Sequence, residues 1–464
     1  MRATPRCSVE SQRPYRAPDG THLNPSRPRR PACRARRSWS ASAALTLIAL
    51  AGLVGCDDDG GARPVDAATL DAALPDAGPD ANADAELDAD ADAAPDAAPD
   101  AAPDAAPDAT ADADAAPDAD AAPDLGPRGL IHLALGAHPP GAVIDFDLPP
   151  DLDAVLIQAR GAPDGIYGFQ VIDTPEGPAI GPGASRVTLN PEVAVALIPN
   201  NDRQPPPAPG PWRLVVGSAG ADARPVEVEL YGVRGRGARL RVNVLVPPAT
   251  GRGPDDPAVV ALMRALEEQL AAAFGVEAIA TAHPLGEDAP AELAVDGAAL
   301  DFAALGALAR AAPPRDPGLD LYLVDRITDG FDTVTAFAGG LPAPFALPDT
   351  APAVAAVPIG LIDDFPAAVA DRAVHELGHA LGLFHTTEPF GDRSDPIADT
   401  AECPLACDAD GDGVLFAREC GAQDRGEAPC RGAADNLMFW TLGGRRTVTA
   451  GQRRVVGWHP VIEE

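Results

Sequence analysis

The eleven residues from His375 to His385, His-Glu-Leu-Gly-His-Ala-Leu-Gly-Leu-Phe-His, constrain this chain more than any other stretch. Histidines at i and i+4 lie one turn apart on one face of a helix, so His375 and His379 present their imidazoles to a common point. Glu376 projects from the same helix. For His385 to reach that point the chain must leave the helix and double back. Gly382 stands where the turn has to fall, and glycine takes the left-handed conformation needed there without strain. A lone histidine is usually a satisfied core residue. Five fixed positions at these spacings arise by chance in roughly 10⁻⁵ to 10⁻⁴ of chains this long, so the three imidazoles read as ligands of one ion. Zinc suits them, because catalytic zinc takes three protein ligands and keeps a position for water. Glu376 is then placed to take a proton from zinc-bound water and pass it to a leaving amine.

The residues around this segment alternate strand and helix signals. Arg239–Val246 places Leu240, Val242, Val244 and Val246 at period two, a strand. Asp256 before Pro257 gives a helix cap and a first-turn proline. Val259, Leu262, Met263, Leu266, Leu270 and Phe274 then line one face until Gly275 stops the helix. Leu319–Ile327 reads as a buried strand, Val334–Phe337 as another running into Gly339-Gly340, and Ala353–Leu361 as a third. Pro366 opens the histidine-bearing helix. This mixed α/β ordering puts the motif in a domain spanning residues 237–464.

Upstream, residues 128–236 read as short strands between Pro/Gly turns. Ala142–Leu148, Ala154–Arg160, Ile166–Asp173, Val193–Pro199, Trp212–Gly217 and Val226–Leu230 are the candidates, and their spacing suggests an antiparallel sandwich. His132 and His138 are isolated there and read as structural.

The first 127 residues carry no core. Arg29, Arg30, Arg34, Arg36 and Arg37 precede the apolar run Ala41–Gly55, which is too short to span a bilayer as a helix. Residues 1–55 therefore read as an export signal. Leu53-Val54-Gly55-Cys56 resembles a bacterial lipobox, which implies cleavage before Cys56 and lipidation of its thiol; an ordinary signal peptide is the alternative. Residues 56–127 are Asp, Ala and Pro with few large apolar side chains, an extended solvated linker. It serves as a spacer, or one of its aspartates reaches the metal and holds the site latent. The formal net charge of −34 excludes the basic footprint of a nucleic-acid binder.

Cysteine usage agrees with export. Cys403, Cys407, Cys420 and Cys430 cluster near the C-terminus and read as two disulfides, with three connectivities open. A structural zinc site is the alternative.

His-Glu-x-x-His-x-x-Gly-x-x-His matches, position for position, the zinc signature of the metzincin metallopeptidases. The resemblance implies a methionine turn beneath the metal, and Asn436-Leu437-Met438-Phe439-Trp440 is similar to it, with Met438 as the floor. Asp395–Thr400, the four cysteines and Thr449-Ala-Gly-Gln452 opening a last helix resemble the pappalysin and cytophagalysin branch. The resemblance spans roughly Arg239 to Pro460. Related sequences often carry a tyrosine two residues after the methionine, where its hydroxyl assists the transition state. Here that residue is Trp440, whose indole donates a hydrogen bond but is no comparable acid. The resemblance also implies an edge strand above the cleft that pairs with an extended substrate. Val334–Gly340 is the candidate, an interior strand ending in a turn being the alternative.

Asp408-Ala-Asp410-Gly-Asp412-Gly413-Val414-Leu-Phe-Ala-Arg-Glu419 fits a twelve-residue EF-hand loop. Its carboxylates stand at positions 1, 3, 5 and 12, with the Val414 carbonyl at 7, and the ion implied is Ca²⁺. Cys407 and Cys420 bracket this loop, so a disulfide between them is sterically reasonable. Asp395 and Asp399 are candidates for a second calcium site.

The expected fold is therefore an α/β metzincin catalytic domain, a mixed twisted sheet plus the active-site helix, preceded by an all-β sandwich domain and a disordered linker. The expected function is a zinc-dependent endopeptidase acting on extracytoplasmic proteins or peptides, lipid-anchored to the cell envelope. The alternative is a surface-anchored binding lipoprotein whose domain no longer turns over.

Overall fold

The computed structural model describes residues 129–464, apart from 182–184, 220–223, 297–298, 301, 329–332, 335, 422–429, 431 and 442–445. The expected signal, Cys56 and the linker lie outside the described residues. Among those described, no helix is long and apolar enough to cross a membrane.

The first part is built of strands: β1 (Gly129–His138), β2 (Val143–Leu148), β3 (Ala154–Arg160), β4 (Ile166–Thr174) and β5 (Gly177–Pro178), then β6 (Asn190–Pro191), β7 (Val193–Ile198), β8 (Gly210–Ala219) and β9 (Val226–Arg234). They form two antiparallel sheets, β1-β9-β3-β7 and β2-β8-β4-β5, with β6 paired to β4. Ile144, Phe169, Trp212 and Leu214 of one sheet share a buried cluster with Val155, Ile157, Ala194 and Leu230 of the other.

The sequences of β3 (AVLIQAR) and β7 (VAVALI) are apolar almost throughout rather than alternating. The reason is that both faces are covered. Val155, Ile157, Ala194 and Ala196 face the partner sheet, while Leu156, Val193, Val195 and Leu197 belong to a second core with the helices that follow.

That second part contains β10 (Arg239–Val246), α1 (Pro257–Phe274), β11 (Glu277–Pro284), β12 (Glu292–Asp296), β13 (Ala299–Leu300), α2 (Phe302–Arg310) and β14 (Leu319–Val324). β15 (Arg326–Thr328), β16 (Thr333–Val334), β17 (Phe337–Ala338), β18 (Val354–Pro358), α3 (Pro366–Ala380), α4 (Ala417–Cys420) and α5 (Ala450–Trp458) complete it. Its main sheet runs β11-β10-β14-β18-β17, parallel except for the edge strand β17. Period-two patterning assigns its faces. Leu240, Val242, Val244, Leu321 and Val357 pack with α1 and α3, and Leu245, Tyr322, Val324 and Ala356 pack with Leu305 and Leu308 of α2.

α1 starts and stops where its sequence says. Asp256 accepts a hydrogen bond from the Ala258 amide at 2.9 Å, Pro257 opens the helix, and Gly275 at φ +71° closes it. Three strand expectations change. Leu319–Ile327 is two strands in different sheets, because the Asp325 amide is taken by the Ala291 carbonyl and the chain steps across to pair β15 with β12. Val334–Phe337 is likewise split between β16 and β17. Ala353–Leu361 shortens to β18, ending at Pro358, because the chain turns beyond it, the Ile362 amide bonding back to the Ile359 carbonyl.

The boundary at 236/237 falls between β9 and β10, but the core does not divide there, since Leu156, Val195 and Leu197 join the cluster that holds α3 and α5. Leu197→Ala should lower unfolding free energy by about 2–5 kcal/mol while leaving one calorimetric transition. Two resolved transitions, with only the first shifted, would contradict a shared core.

Candidate metal centre

α3 carries His375, Glu376 and His379 on a helix entered through Pro366, and all three are buried. The helix ends in a double hydrogen bond: Gly382 N–H to the His379 carbonyl at 2.8 Å and Leu383 N–H to the Gly378 carbonyl at 3.0 Å. This is a Schellman closure, and Gly382 at φ +100° is the left-handed residue it requires. The tight reversal returns His385 to the helix face.

The three Nε2 atoms converge, with separations of 3.2 Å (His375–His379), 3.1 Å (His379–His385) and 3.3 Å (His375–His385). Each Nδ1 is held from behind. His375 Nδ1 donates to the Leu437 carbonyl at 2.7 Å, His379 Nδ1 to the Leu383 carbonyl at 2.7 Å, and His385 Nδ1 to Glu388 Oε2 at 3.1 Å. Acceptors at all three Nδ1 atoms fix the tautomer, so three Nε2 lone pairs face one another. Burial, then the neighbouring imidazoles, push His375 down to about 4 and His379 well below its usual value, which keeps these two lone pairs open. A cation at their meeting point would relieve the repulsion. Tetrahedral zinc at about 2.0–2.1 Å from imidazole nitrogens sets those nitrogens about 3.3 Å apart, so the donor set fits zinc in type, tautomer and spacing.

Glu376 has no hydrogen-bond partner among the described residues, and burial pushes its carboxyl up to about 8. Met438 is fully buried beneath α3. A Cβ on Gly378 would meet its Sδ at 2.6 Å, so only glycine lets the helix settle on that sulfur. The surrounding turn is tied at both ends. Asn436 Oδ1 accepts from the Met438 amide at 2.9 Å, and the Met438 carbonyl accepts from the Thr386 amide at 2.9 Å. Asn436 and Gln452 also exchange amide hydrogen bonds of 2.8 and 3.1 Å, joining this turn to the Thr449–Gln452 capping box of α5.

Trp440 lies elsewhere: its indole N–H donates to the Leu415 carbonyl at 2.5 Å and its ring packs on Phe416. Asp399 accepts from the Gly451 amide at the start of α5. Asp395 is bound to Thr400 Oγ1 and the Ile397 amide, with Oδ2 unpartnered.

Of the three open connectivities, the one joining Cys407 to Cys420 across the loop is not formed. The disulfides are Cys403–Cys420 and Cys407–Cys430, with Cα separations of 5.9 and 5.6 Å. All four cysteines lie in or against one small core with Leu415 and Phe439, so the pairing follows from how α4 and the Cys430 segment pack there and not from closeness in sequence. Within the bracketed loop, carboxylate oxygens of Asp408, Asp410 and Asp412 lie within 4.8 Å of one another. Glu419 is not in that group, its two oxygens accepting from the Ala409 and Phe416 amides, and Asp410 pairs with Arg418 at 2.5 Å.

Sequence reasoning missed Glu388, Gly378 and the Asn436–Gln452 pair. Glu388 stands three residues after His385, a spacing that could have suggested an imidazole partner. Burial would raise its carboxyl, but the hydrogen bond to His385 and the charges of His385, Arg186 and Arg393 outweigh burial and hold it low.

No family model matches the chain, and no curated protein matches it. Some solved structures are similar to part of the chain. An archaemetzincin from Methanopyrus kandleri is 18% identical over 35% of this chain and 91% of its own, with a TM-score of 0.25. Metalloproteinase-II from Bacteroides fragilis is 15% identical over 36% of this chain, which spans about half (51%) of that protein, at 0.24. A xylanase from Cellvibrio japonicus is 14% identical over 29% of this chain and 31% of its own, at 0.16. At such scores these likenesses carry no argument about the site. The three converging lone pairs define the site.

Removing the acceptor behind one imidazole should loosen the metal. Glu388→Ala is expected to weaken zinc binding about 10–100-fold in a competitive chelator titration; unchanged affinity would mean that Glu388 does not orient His385. Gly378→Ala should destabilise the fold by about 1–3 kcal/mol through Met438, read by chemical denaturation.

Proposed function

We propose that the chain is a zinc-dependent endopeptidase that hydrolyses peptide bonds of proteins or peptides outside the cytoplasm. The observation that carries this reading is the convergence of His375, His379 and His385 with an unpartnered carboxylate, Glu376, on the same helix. Bound at the three Nε2 atoms, zinc supplies Lewis acidity that polarises a peptide carbonyl and makes water easier to deprotonate. The residues do the rest. Glu376 makes no competing hydrogen bond among the described residues, and the charge of a bound cation would offset the burial that raises its carboxyl, so that the ionised form can accept a proton from the attacking water and return it to the leaving nitrogen. Burial of the site excludes competing water and strengthens each charge interaction. Glu388, Leu437 and Leu383 hold the imidazoles in the tautomer that leaves Nε2 open.

The edge strand β17 supports strand addition by an extended substrate, since among the described residues only one of its sides is paired, to β18. The lipobox-like residues ending at Cys56 support export and a lipid anchor in the cell envelope. Calcium at Asp408, Asp410 and Asp412 belongs to the same reading, supported by their mutual closeness; Val414 would add its carbonyl. Added calcium should raise the melting temperature of wild type and not of Asp408→Ala.

A binding protein without turnover is the second reading. It is favoured by Trp440, whose only side-chain donor is committed to Leu415 and is not available to a transition state. Glu376→Ala decides between them. The peptidase reading expects stoichiometric zinc in both proteins and cleavage of a mixed peptide library about 10²–10⁴-fold slower in the variant. Equal, negligible cleavage by both zinc-loaded proteins would favour the binding protein.

A further inference from the structure

One helical turn before His375, on the same face of α3, stands Asp371. Its Oδ2 lies 2.9 Å from Nη1 of Arg446, which arrives from the segment after the methionine turn. Arg446 is close enough to His375 to disfavour the protonated imidazole, which sets the pair beside the metal centre. The charges there do not balance. Arg372 also acts on Asp371 and on Arg446, so two guanidinium groups share one carboxylate.

The hydrogen bonds do not balance either. Nη1 of Arg446 is ion-paired to Asp371 but makes no hydrogen bond, and Nε of Arg372 is buried with no acceptor, among the described residues. Thr441 Oγ1 is another buried hydroxyl without a partner. Unsatisfied buried donors on cations are unfavourable unless an acceptor arrives, and a planar guanidinium fork matches a carboxylate. Burial lowers both arginines from their ordinary values, as expected of charges short of compensation. The group is also reachable, with the Arg446 side chain 20% and the Asp371 side chain 31% exposed.

We propose that Arg446, together with Arg372, forms a subsite beside the metal for a carboxylate of the bound peptide, either an acidic side chain or a free C-terminus. This rests on the reading of the site as one that binds peptides. It adds a selectivity that the zinc ligands do not encode.

The test is direct binding, followed by fluorescence anisotropy on zinc-loaded protein. The probes are fluorescein-labelled alanine heptapeptides carrying one glutamate at each position in turn, against the matched glutamine series, and each with an acid or an amide C-terminus. At one or two positions glutamate, or at the end of the chain the free acid, should bind about tenfold tighter than its neutral counterpart. Arg446→Gln should shrink that ratio to about twofold or less, and Arg446→Glu should transfer the preference to a lysine series. A wild type that shows no preference for a carboxylate at any position overturns the proposal without reliance on a variant. So does a preference that survives intact in Arg446→Gln. Cleavage of the same peptides separates this from the peptidase reading. A carboxylate preference without cleavage keeps the subsite and removes the enzyme, whereas cleavage without the preference does the reverse.

Discussion

Three imidazole lone pairs held within 3.3 Å of each other repel one another, and much of the second half of the chain serves to hold them there. The Leu383 carbonyl comes from the helix-ending turn, the Leu437 carbonyl from the methionine turn, and the Glu388 carboxylate from the strand-like return after His385. Each fixes one ring, and each belongs to a different local structure. A cation held at the three nitrogens would offset that repulsion, and its binding would then add to the stability of the fold. The repulsion also explains why the methionine turn is cross-linked so heavily, through Asn436, Gln452 and Thr386. A shift of the Leu437 carbonyl would free the His375 ring to rotate.

The layered architecture supplies the rigidity. α3 packs beside α1, both covering one face of the parallel sheet, and α5 reaches back to α1, where Arg453 donates to the Ala272 and Ala273 carbonyls at its C-terminal end. The upstream sheets are part of the same support. Leu197 of β7 and Val455 of α5 meet over Gly382, 3.1 and 3.8 Å from where a Cβ would stand. The turn that delivers His385 is thus braced by a strand nearly two hundred residues earlier in the chain. The segment 128–236 shows no chemistry of its own, yet it presses on the hinge of the site.

The helices were legible where local signals agree with burial. Asp256, Pro257, the apolar stripe from Val259 to Phe274 and Gly275 all report on one helix, and each is satisfied within it. The zinc-type ligand set was legible because i, i+4 spacing and a left-handed glycine are backbone geometry. The strands from Leu319 to Leu361 were less so. A run of apolar residues does not say which sheet it enters, and Asp325 ends one strand and begins another through a hydrogen bond to Ala291 that no neighbouring residue announces. β3 and β7 were recognised as strands, but their lack of alternation, the mark of two covered faces, was the clue to the shared core.

The chain by itself determined which side chains could meet a metal, since His375, His379, Gly382 and His385 are related by the periodicity and the permitted φ of a single segment. It equally determined where α1 and α5 begin, because a cap bonds to amides two or three residues away. Tertiary structure alone decided what stands behind each imidazole from a distance, which cysteines pair, and where Trp440 and Arg446 point. Those contacts join residues tens of positions apart, and such a pairing depends on how the layers close over one another rather than on any local pattern.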